Sequence, residues 1–293
     1  MIKRILEIGV AVNDIKATGS KLHDILGAQA GMLIKDDGYG MVAQMFRVGN
    51  IEFELMEPAH QDGIIVKFLK GQGEGLHHIA LEVDDIVKKI EWIKQKNIRL
   101  INETPISIYG CKAVFLHPES FGGVLIELIE GIPKWVNDCV LPRELQVPIQ
   151  PQGIGAEGIM EVGIIVRDLE ATSRVYSKVL LSEASEIIKL ESHLLKTKVY
   201  RAGNVNLKLI EMIKKENSLN ALLGTDRLGL RYVTLKVSNI QNAIAYLKSE
   251  KIDFTENPPS AFDDSKSALI CPKEIGGIPI FLKEGSREGA PTA

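Results

Sequence analysis

The sequence predicts an α+β protein made of two copies of one domain, and three observations support that fold class. Four blocks of the first half return in the second half at one constant offset of 154 residues: 7–15, 49–57, 75–83 and 122–128. Each copy contains the pattern strand, helix, strands twice in succession. Apolar residues alternate with small or polar ones along the strands, so that one face of each can pack beneath helices. Because chance similarity would not hold one offset over the whole length, the chain is a tandem duplication.

Composition narrows the class of protein. The chain has 293 residues, 45% hydrophobic and 25% charged, with a net charge of −3. These values are typical of a globular protein, and without a basic run we do not expect nucleic acid as a partner. No stretch of about 18 apolar residues and no signal peptide are visible, so we expect a cytoplasmic protein that makes no membrane contact. The three cysteines are scattered, which indicates neither a disulfide framework nor a zinc site.

The first module of each copy can be traced through its strand and helix signals. A strand pattern over residues 5–12 precedes a helix pattern over about 14–26, with Asp14 as the N-cap and Gly27 as the C-cap. Two strand patterns follow, over 41–47 and 51–56, joined by a Gly-Asn turn. This order predicts a module of one strand, one helix and further strands.

The second module repeats that order. The patterns predict strands over 77–83, 112–116 and 124–129, and a helix over about 85–96. We therefore divide the chain into a first domain over 1–130, a linker over 131–155, a second domain over 156–284 and a loose tail over 285–293. The linker is indicated by its prolines, Pro133, Pro142, Pro148 and Pro151.

Strand alternation predicts which side chains face the cleft. Glu7 shares its face with Gly9, and small residues there indicate a closely approached surface. His78 faces the same way, whereas His77 is expected on the opposite, packed face. Glu127 lies within an apolar run, where an ionised carboxylate is costly without a partner, so a functional role is favoured for it.

Two motifs carry a resemblance to a known family. They cover residues 68–85, with Gly75-Leu-His-His-Ile-Ala, and residues 114–128, with Gly122-Gly-Val-Leu-Ile-Glu-Leu. The first half, over roughly 5–130, resembles the vicinal oxygen chelate superfamily, and within it the methylmalonyl-CoA epimerases. The second half keeps only the superfamily pattern. The resemblance implies tandem vicinal-oxygen-chelate domains, each of two βαβββ modules around a curved mixed sheet that forms a cleft. Each cleft needs no partner chain, and homodimer formation stays open.

The resemblance also implies a metal site. Its ligands fall on Glu7, Glu54, His78 and Glu127, and Glu127 would double as the catalytic base. Three oxygen donors and one nitrogen donor suit one divalent ion such as Co, Mn, Ni or Zn. Such an ion can polarise a carbonyl, so that a carboxylate can remove the neighbouring proton.

The first copy departs from the epimerase pattern at two positions. The second copy lacks the ligands of the metal site. The epimerases have histidine where this chain has Glu7, and a second glutamate base where it has Ala43, next to Gln44. The ligand positions of the second copy hold Glu161, Lys208, Tyr232 and Phe281. Those residues do not make this metal site, so we expect no metal there and an ion pair between Lys208 and Glu161.

Three functions remain as hypotheses. The first is a metal-dependent epimerase or isomerase of the methylmalonyl-CoA epimerase type. The second is a lyase of the glyoxalase I type, and the third is a non-catalytic protein that binds a small molecule. An enzyme acting on a small molecule, either an acyl-CoA or a thiol adduct, is favoured. An Fe(II) dioxygenase is disfavoured because it uses two histidines and one carboxylate.

Overall fold

The computed structural model of the protein describes residues 2–108, 110–131, 153–180, 184–190, 194–213, 223, 227–258 and 266–285. These residues form two curved mixed sheets of eight strands each, within residues 2–130 and 156–284. Most of the predicted linker over 131–155 and nearly all of the predicted tail over 285–293 lie outside the described residues. Among the described residues, no helix combines the length and the apolar character that crossing a membrane would need.

The first sheet contains strands from both modules of the first domain. Its strands are β1 Ile2–Ala11, β2 Gln29–Asp36, β3 Met41–Val48, β4 Ile51–Pro58, β5 Gly75–Val83, β6 Ile106–Ile108, β7 Cys111–Leu116 and β8 Leu125–Glu130. They lie in the order β2-β3-β4-β1-β5-β8-β7-β6. β1 pairs antiparallel with β5 and joins the two modules, while β1–β4 and β5–β8 are parallel pairs. The four central strands therefore come from both modules.

Two helices cover the apolar face of this sheet, α1 Ile15–Leu26 and α3 Ile86–Gln95. The third helix, α2 Ile64–Gln72, packs instead against the cluster of Met41, Ala43 and Met56 on the cleft side. The predicted caps of α1 are present: Asp14 accepts a hydrogen bond from the Ala17 N–H, and Gly27 adopts a left-handed φ of 69°. Leu22 and Ile25 of α1 belong to the same buried cluster as Ile8 and Val10 of β1. The opposite face of the sheet is left to line the cleft.

The second domain repeats this architecture. Its strands are β9 Ala156–Val166, β10 Ile188–Leu190, β11 Leu195–Ala202, β12 Val205–Met212, β13 Gly229–Val237, β14 Phe254–Glu256, β15 Ser267–Ile270 and β16 Ile280–Glu284. Their order is β10-β11-β12-β9-β13-β16-β15-β14, the same arrangement as in the first sheet. The helices α4 Leu169–Leu180 and α5 Ile240–Ser249 correspond to α1 and α3. The predicted duplication is thus a duplication of structure.

The two domains contact each other through equivalent residues. A Cβ added to Gly49 would lie 2.0 Å from the Glu157 carbonyl oxygen, and one added to Gly203 would lie 2.0 Å from the Lys3 carbonyl oxygen. Both glycines also have left-handed φ values of 58° and 62°. Because Gly49 and Gly203 are 154 residues apart, as are Lys3 and Glu157, the domains are related by an approximate two-fold axis. The glycines allow backbones to meet at two equivalent places.

Candidate metal site in the first domain

Four neighbouring strands each contribute one polar side chain to the cleft. Glu54, Glu7, His78 and Glu127 lie on β4, β1, β5 and β8, the four central strands. The register brings them level, since Gly9 pairs with both Glu54 and His78, and Ala80 pairs with both Glu7 and Glu127. The structure therefore brings together all four residues that the resemblance implied.

The carboxylates surround one imidazole nitrogen. Nε2 of His78 lies 3.7 Å from Glu7 Oε1, 3.5 Å from Glu54 Oε2 and 3.4 Å from Glu127 Oε2. Each of the four residues is at most 4% exposed. These separations exceed the usual hydrogen-bond length of about 2.7–3.2 Å. Three carboxylates thus converge on a nitrogen without forming short bonds to it.

The three buried carboxylates of the cluster need a positive charge among them. Burial raises the pKa of Glu7, and burial together with the Glu7 charge raises the pKa of Glu54 well above its usual range. Burial opposes the charged form of His78, but its interactions with Glu127, Glu7 and Glu54 outweigh this and raise the pKa of His78 to about 10. Three buried carboxylates repel one another strongly unless positive charge lies among them. An imidazolium or a metal ion would supply that charge.

The residues present fit a divalent metal ion. Two buried polar atoms, Glu7 Oε2 and His78 Nε2, have no hydrogen-bond partner. Donor atoms of Glu7, Glu54 and His78 all lie within 4.8 Å of one another. Around an ion with bonds of about 2.1 Å, neighbouring donors are separated by about 3.0–3.5 Å, close to the spacing found around His78 Nε2. One imidazole and carboxylate oxygens are donors that Co, Mn, Ni and Zn accept.

A glycine and an irregularity in β5 shape this site. A Cβ on Gly9 would lie 2.1 Å from the His78 ring, so only glycine at this position leaves room for the imidazole. The pairing of β1 with β5 shifts between Gly9–His78 and Val10–Leu76, which leaves His77 in a bulge. His77 therefore lines the cleft beside His78, and its predicted position on the opposite face is wrong. Its ring packs edge-on against Phe68 at 4.8 Å, as suits a packing residue.

The sequence did not single out two further polar residues of the cleft. Asp36, at the end of β2, and Tyr39 line the same cavity as Glu54 and Glu127. Asp36 accepts a hydrogen bond of 3.0 Å from the Tyr39 N–H, a local turn. The Asp-Asp-Gly-Tyr-Gly segment carries that turn signal, but only tertiary structure shows which way the turn faces.

Three positions near the cluster have structural roles. Glu52, two residues before Glu54 on β4, forms an ion pair of 2.5 Å with Arg47 and does not line the cleft cavity. Ala43 is fully buried in the apolar cluster with Met41 and Met56, which line the cleft. Gln44 donates to the Gly31 carbonyl oxygen instead. No carboxylate therefore stands at the position where the epimerases are expected to have a second base.

The equivalent cleft of the second domain is filled. The Tyr232 hydroxyl donates to Glu161 at 3.1 Å, and the predicted ion pair joins Lys208 Nζ and Glu161 at 3.8 Å. The rings of Tyr232 and Phe281 pack edge-on with centroids 5.0 Å apart. Lys208 stands where the first domain has Glu54, Tyr232 where it has His78, and Phe281 where it has Glu127.

Comparison with known proteins defines the family. A sequence profile of the Glyoxalase/Bleomycin resistance protein/Dioxygenase superfamily matches residues 7–115 and again 160–269. The chain belongs to this superfamily, and both of its domains do.

Relatives of the N-terminal half include methylmalonyl-CoA epimerases. The mitochondrial methylmalonyl-CoA epimerase of Mus musculus is 37% identical over 127 residues, which is 43% of this chain and 71% of that protein. The ethylmalonyl-CoA/methylmalonyl-CoA epimerase of Cereibacter sphaeroides is 32% identical over 131 residues, 44% of this chain and 98% of that protein. The crystal structure of methylmalonyl-CoA epimerase from Mycobacterium tuberculosis is 29% identical, covers 46% of this chain and 93% of that one, and has a TM-score of 0.43.

Proposed function

We propose that the first domain is a metal-dependent epimerase of the methylmalonyl-CoA epimerase type. The observation that carries this proposal is the convergence of Glu7, Glu54 and Glu127 on Nε2 of His78 inside a buried cleft. The relatives named as methylmalonyl-CoA epimerases support the substrate class, an acyl-CoA thioester with an acidic C–H next to its carbonyl. Under this proposal, the domain over 1–130 catalyses the reaction, and the domain over 156–284 does not.

The four clustered residues would hold the metal ion. Bound there, a divalent ion supplies Lewis-acid polarisation of a carbonyl oxygen. The protein orients that carbonyl, because the apolar walls of the cleft leave few directions of approach: Met41, Met56, Ile108, Phe115 and Leu125. These side chains also exclude water, which strengthens every electrostatic interaction inside.

Proton transfer needs two groups, one on each face of the substrate carbon. Glu127 can remove or return the proton on one face, since its carboxylate lines the cleft beside His78. Ala43 cannot serve as the second group. Asp36 is the carboxylate that replaces it in our proposal, because it lines the same cavity and its charge influences both Glu54 and Tyr39. The turn that holds Asp36 keeps it at the edge of the cleft.

The proposal is tested by metal content and by proton exchange. The purified chain is stripped with a chelator, reloaded with Co(II) or Mn(II), and compared with His78→Ala. We expect the unaltered protein to bind one ion and to exchange the C2 proton of methylmalonyl-CoA with deuterium, and His78→Ala to do neither. His117→Ala is the matched control, since that residue does not line the cleft cavity and caps a short 3₁₀ helix over Pro118–Phe121. Retention of the ion by His78→Ala would contradict the site.

A second variant separates the two proton-transfer groups. Asp36→Asn should keep exchange for one epimer, through Glu127, while conversion between epimers falls by about 10²-fold or more. Equal loss of exchange for both epimers would contradict a separate role for Asp36.

The absence of a carboxylate at Ala43 also favours a different function, a non-catalytic protein that binds a small molecule. Such a protein would show metal binding without proton exchange, and its ligand would raise its melting temperature. Consumption of a hemithioacetal in the same experiment would instead indicate a lyase of the glyoxalase I type.

A further inference from the structure

A second cavity lies between the domains, directly beside the candidate metal site. It has a volume of about 290 Å³, and its walls come from both halves of the chain. His77 and Leu125 line this cavity and the metal-site cavity alike, so the two spaces adjoin. At roughly 30 Å³ per water, the cavity has room for a polyatomic ligand group.

The cavity lies across the approximate two-fold axis. Leu76 and Leu230 face each other from the two domains, and so do Leu125 and Pro279, each pair 154 residues apart. Two equivalent pairs differ in charge: Arg231 on the second domain corresponds to His77 on the first, and Leu228 on the second corresponds to Glu74 on the first. The guanidinium of Arg231 carries a positive charge at neutral pH, since arginine is not deprotonated in proteins. The wall contributed by the second domain is therefore the cationic one.

Arg231 is a half-buried cation without an anion. Its Nε is buried and has no hydrogen-bond partner, and within the described residues no carboxylate lies within ion-pair distance of its guanidinium. Burial and the nearby charge of Arg227 lower the pKa of Arg231, so two guanidinium groups approach each other here. The carboxylate of Glu74 also lines the cavity, but it accepts a hydrogen bond of 2.7 Å from the Asn13 N–H. Enclosing the Nε of a cation without a partner is costly, which indicates that a ligand supplies the negative charge.

Arg227 holds the two domains together at this cavity. Its Nη1 donates to the Gln72 carbonyl oxygen at 2.7 Å and to Gln72 Oε1 at 3.0 Å. The positions equivalent to Arg227 and Arg231 in the first domain are Gly73 and His77. Both cations thus belong to the domain whose own cleft is filled, and both face the domain whose cleft is open.

We propose that this interdomain cavity binds an oxyanion group of the ligand, a phosphate or a carboxylate, through the guanidinium of Arg231. The identity of the ligand rests on the proposed function: its reacting end would occupy the first cleft while its anionic end reaches Arg231. Binding of the anion itself does not depend on catalysis. Guanidinium groups suit this task because they present several donors to oxyanions in a fixed planar geometry.

The test is binding of simple anions by isothermal titration calorimetry to the full-length chain. Inorganic pyrophosphate and malonate are the two probes, each used with the unaltered protein, Arg231→Gln, Arg231→Lys and the control Arg174→Gln. Arg174 is an exposed arginine on α4, away from the cavity lining. We expect Arg231→Gln to weaken binding about tenfold or more, Arg231→Lys to weaken it less, and Arg174→Gln to leave it unchanged.

Each outcome of the anion titrations either supports or overturns the proposed anion site. Tighter binding of pyrophosphate would identify a phosphate-bearing ligand, and tighter binding of malonate a carboxylate, both in support of the site. Equal binding by Arg231→Gln, or no binding of either anion, would overturn it. A purely structural role is detected separately: removal of an unpaired, half-buried cation should leave the melting temperature unchanged or higher, whereas loss of a structural ion pair would lower it. Failure of proton exchange with intact anion binding would overturn the proposed function alone.

Discussion

Asn50 and Asn204 make the same pair of hydrogen bonds, each to the first strand of the opposite domain. Asn50 accepts from the Ile159 N–H at 2.9 Å and donates to the Ile159 carbonyl oxygen at 3.1 Å. Asn204 accepts from the Ile5 N–H at 3.1 Å and donates to the Ile5 carbonyl oxygen at 3.4 Å. A side-chain amide here extends the backbone pairing from one domain to the other.

These asparagines should therefore stabilise the assembly of the two domains. Asn50→Ala leaves a backbone N–H and C=O of β9 without partners, and we expect it to lower the free energy of unfolding by about 1–3 kcal/mol. Asn204→Ala should have a similar effect, since its contacts are equivalent. Urea unfolding of each variant measures this. Asn13→Ala, an exposed change, is the control, and equal stability of all three variants would refute the role.

Gly9 and Gly163 offer a matched pair for the metal site. A Cβ at Gly9 would lie 2.1 Å from the His78 ring, and one at Gly163 would lie 1.9 Å from the Tyr232 ring. Each change to alanine should cost about 1–3 kcal/mol of stability through overpacking. Only Gly9→Ala should also weaken Co(II) binding, because it displaces His78. Titration of both variants with Co(II) measures the difference, and weakened binding in Gly163→Ala would speak against a site confined to the first domain.

The ion pair in the filled cleft should also be detectable. Lys208→Met removes the cation 3.8 Å from Glu161 and leaves that carboxylate with the Tyr232 hydroxyl. We expect the free energy of unfolding to fall by about 1–3 kcal/mol, since a half-buried carboxylate loses a partner. Adding Glu161→Gln to Lys208→Met should restore part of the lost free energy of unfolding. Thermal or urea unfolding of the two variants measures this. A neutral effect of Lys208→Met alone would contradict the pairing.

Lys89 should make stability depend on pH above neutrality. Its ammonium donates to the Val179 carbonyl oxygen at the end of α4, and burial lowers the pKa of Lys89 to about 8, from 10.5. Between these values the unfolded chain binds a proton that the folded protein does not, so the free energy of unfolding rises with pH. This contribution is complete above pH 10.5 and is lost as the pH falls through 8.

The measurement is urea unfolding between pH 7.5 and about 10, over the range set by the pKa of Lys89. The unaltered protein should gain stability relative to Lys89→Met as the pH rises. Lys88→Met is the control, because Lys88 is exposed and forms its ion pair with Asp85 on the surface. Parallel pH curves for the unaltered protein and Lys89→Met would contradict the assignment.

Local sequence signals predicted the elements that form the middle of each sheet. The strand over 5–12 and the helix over 14–26 are present as Ile2–Ala11 and Ile15–Leu26, because alternation and capping are encoded by neighbouring residues. The duplication added a comparison within the chain. It showed that Glu54 becomes Lys208 while the surrounding apolar residues persist.

The elements that the sequence did not reveal are those stabilised by distant contacts. β2 Gln29–Asp36 lies at the edge of the sheet with half-exposed residues and no clean alternation, so only pairing with β3 makes it a strand. α2 Ile64–Gln72 begins after Gly63, without a capping side chain. Asp36 was missed for the same reason as β2, and His77 was misplaced because a bulge interrupts the alternation of its strand.

A chain that carries both halves of its own two-fold arrangement can change one half at a time. In a symmetric dimer of identical chains, any substitution beside the axis appears twice, so a new arginine would face a copy of itself across the cavity. Here the cavity has His77 on one wall and Arg231 on the other. Two domains in one chain thus permit an interface with two chemically different sides, which an assembly of identical subunits could not build.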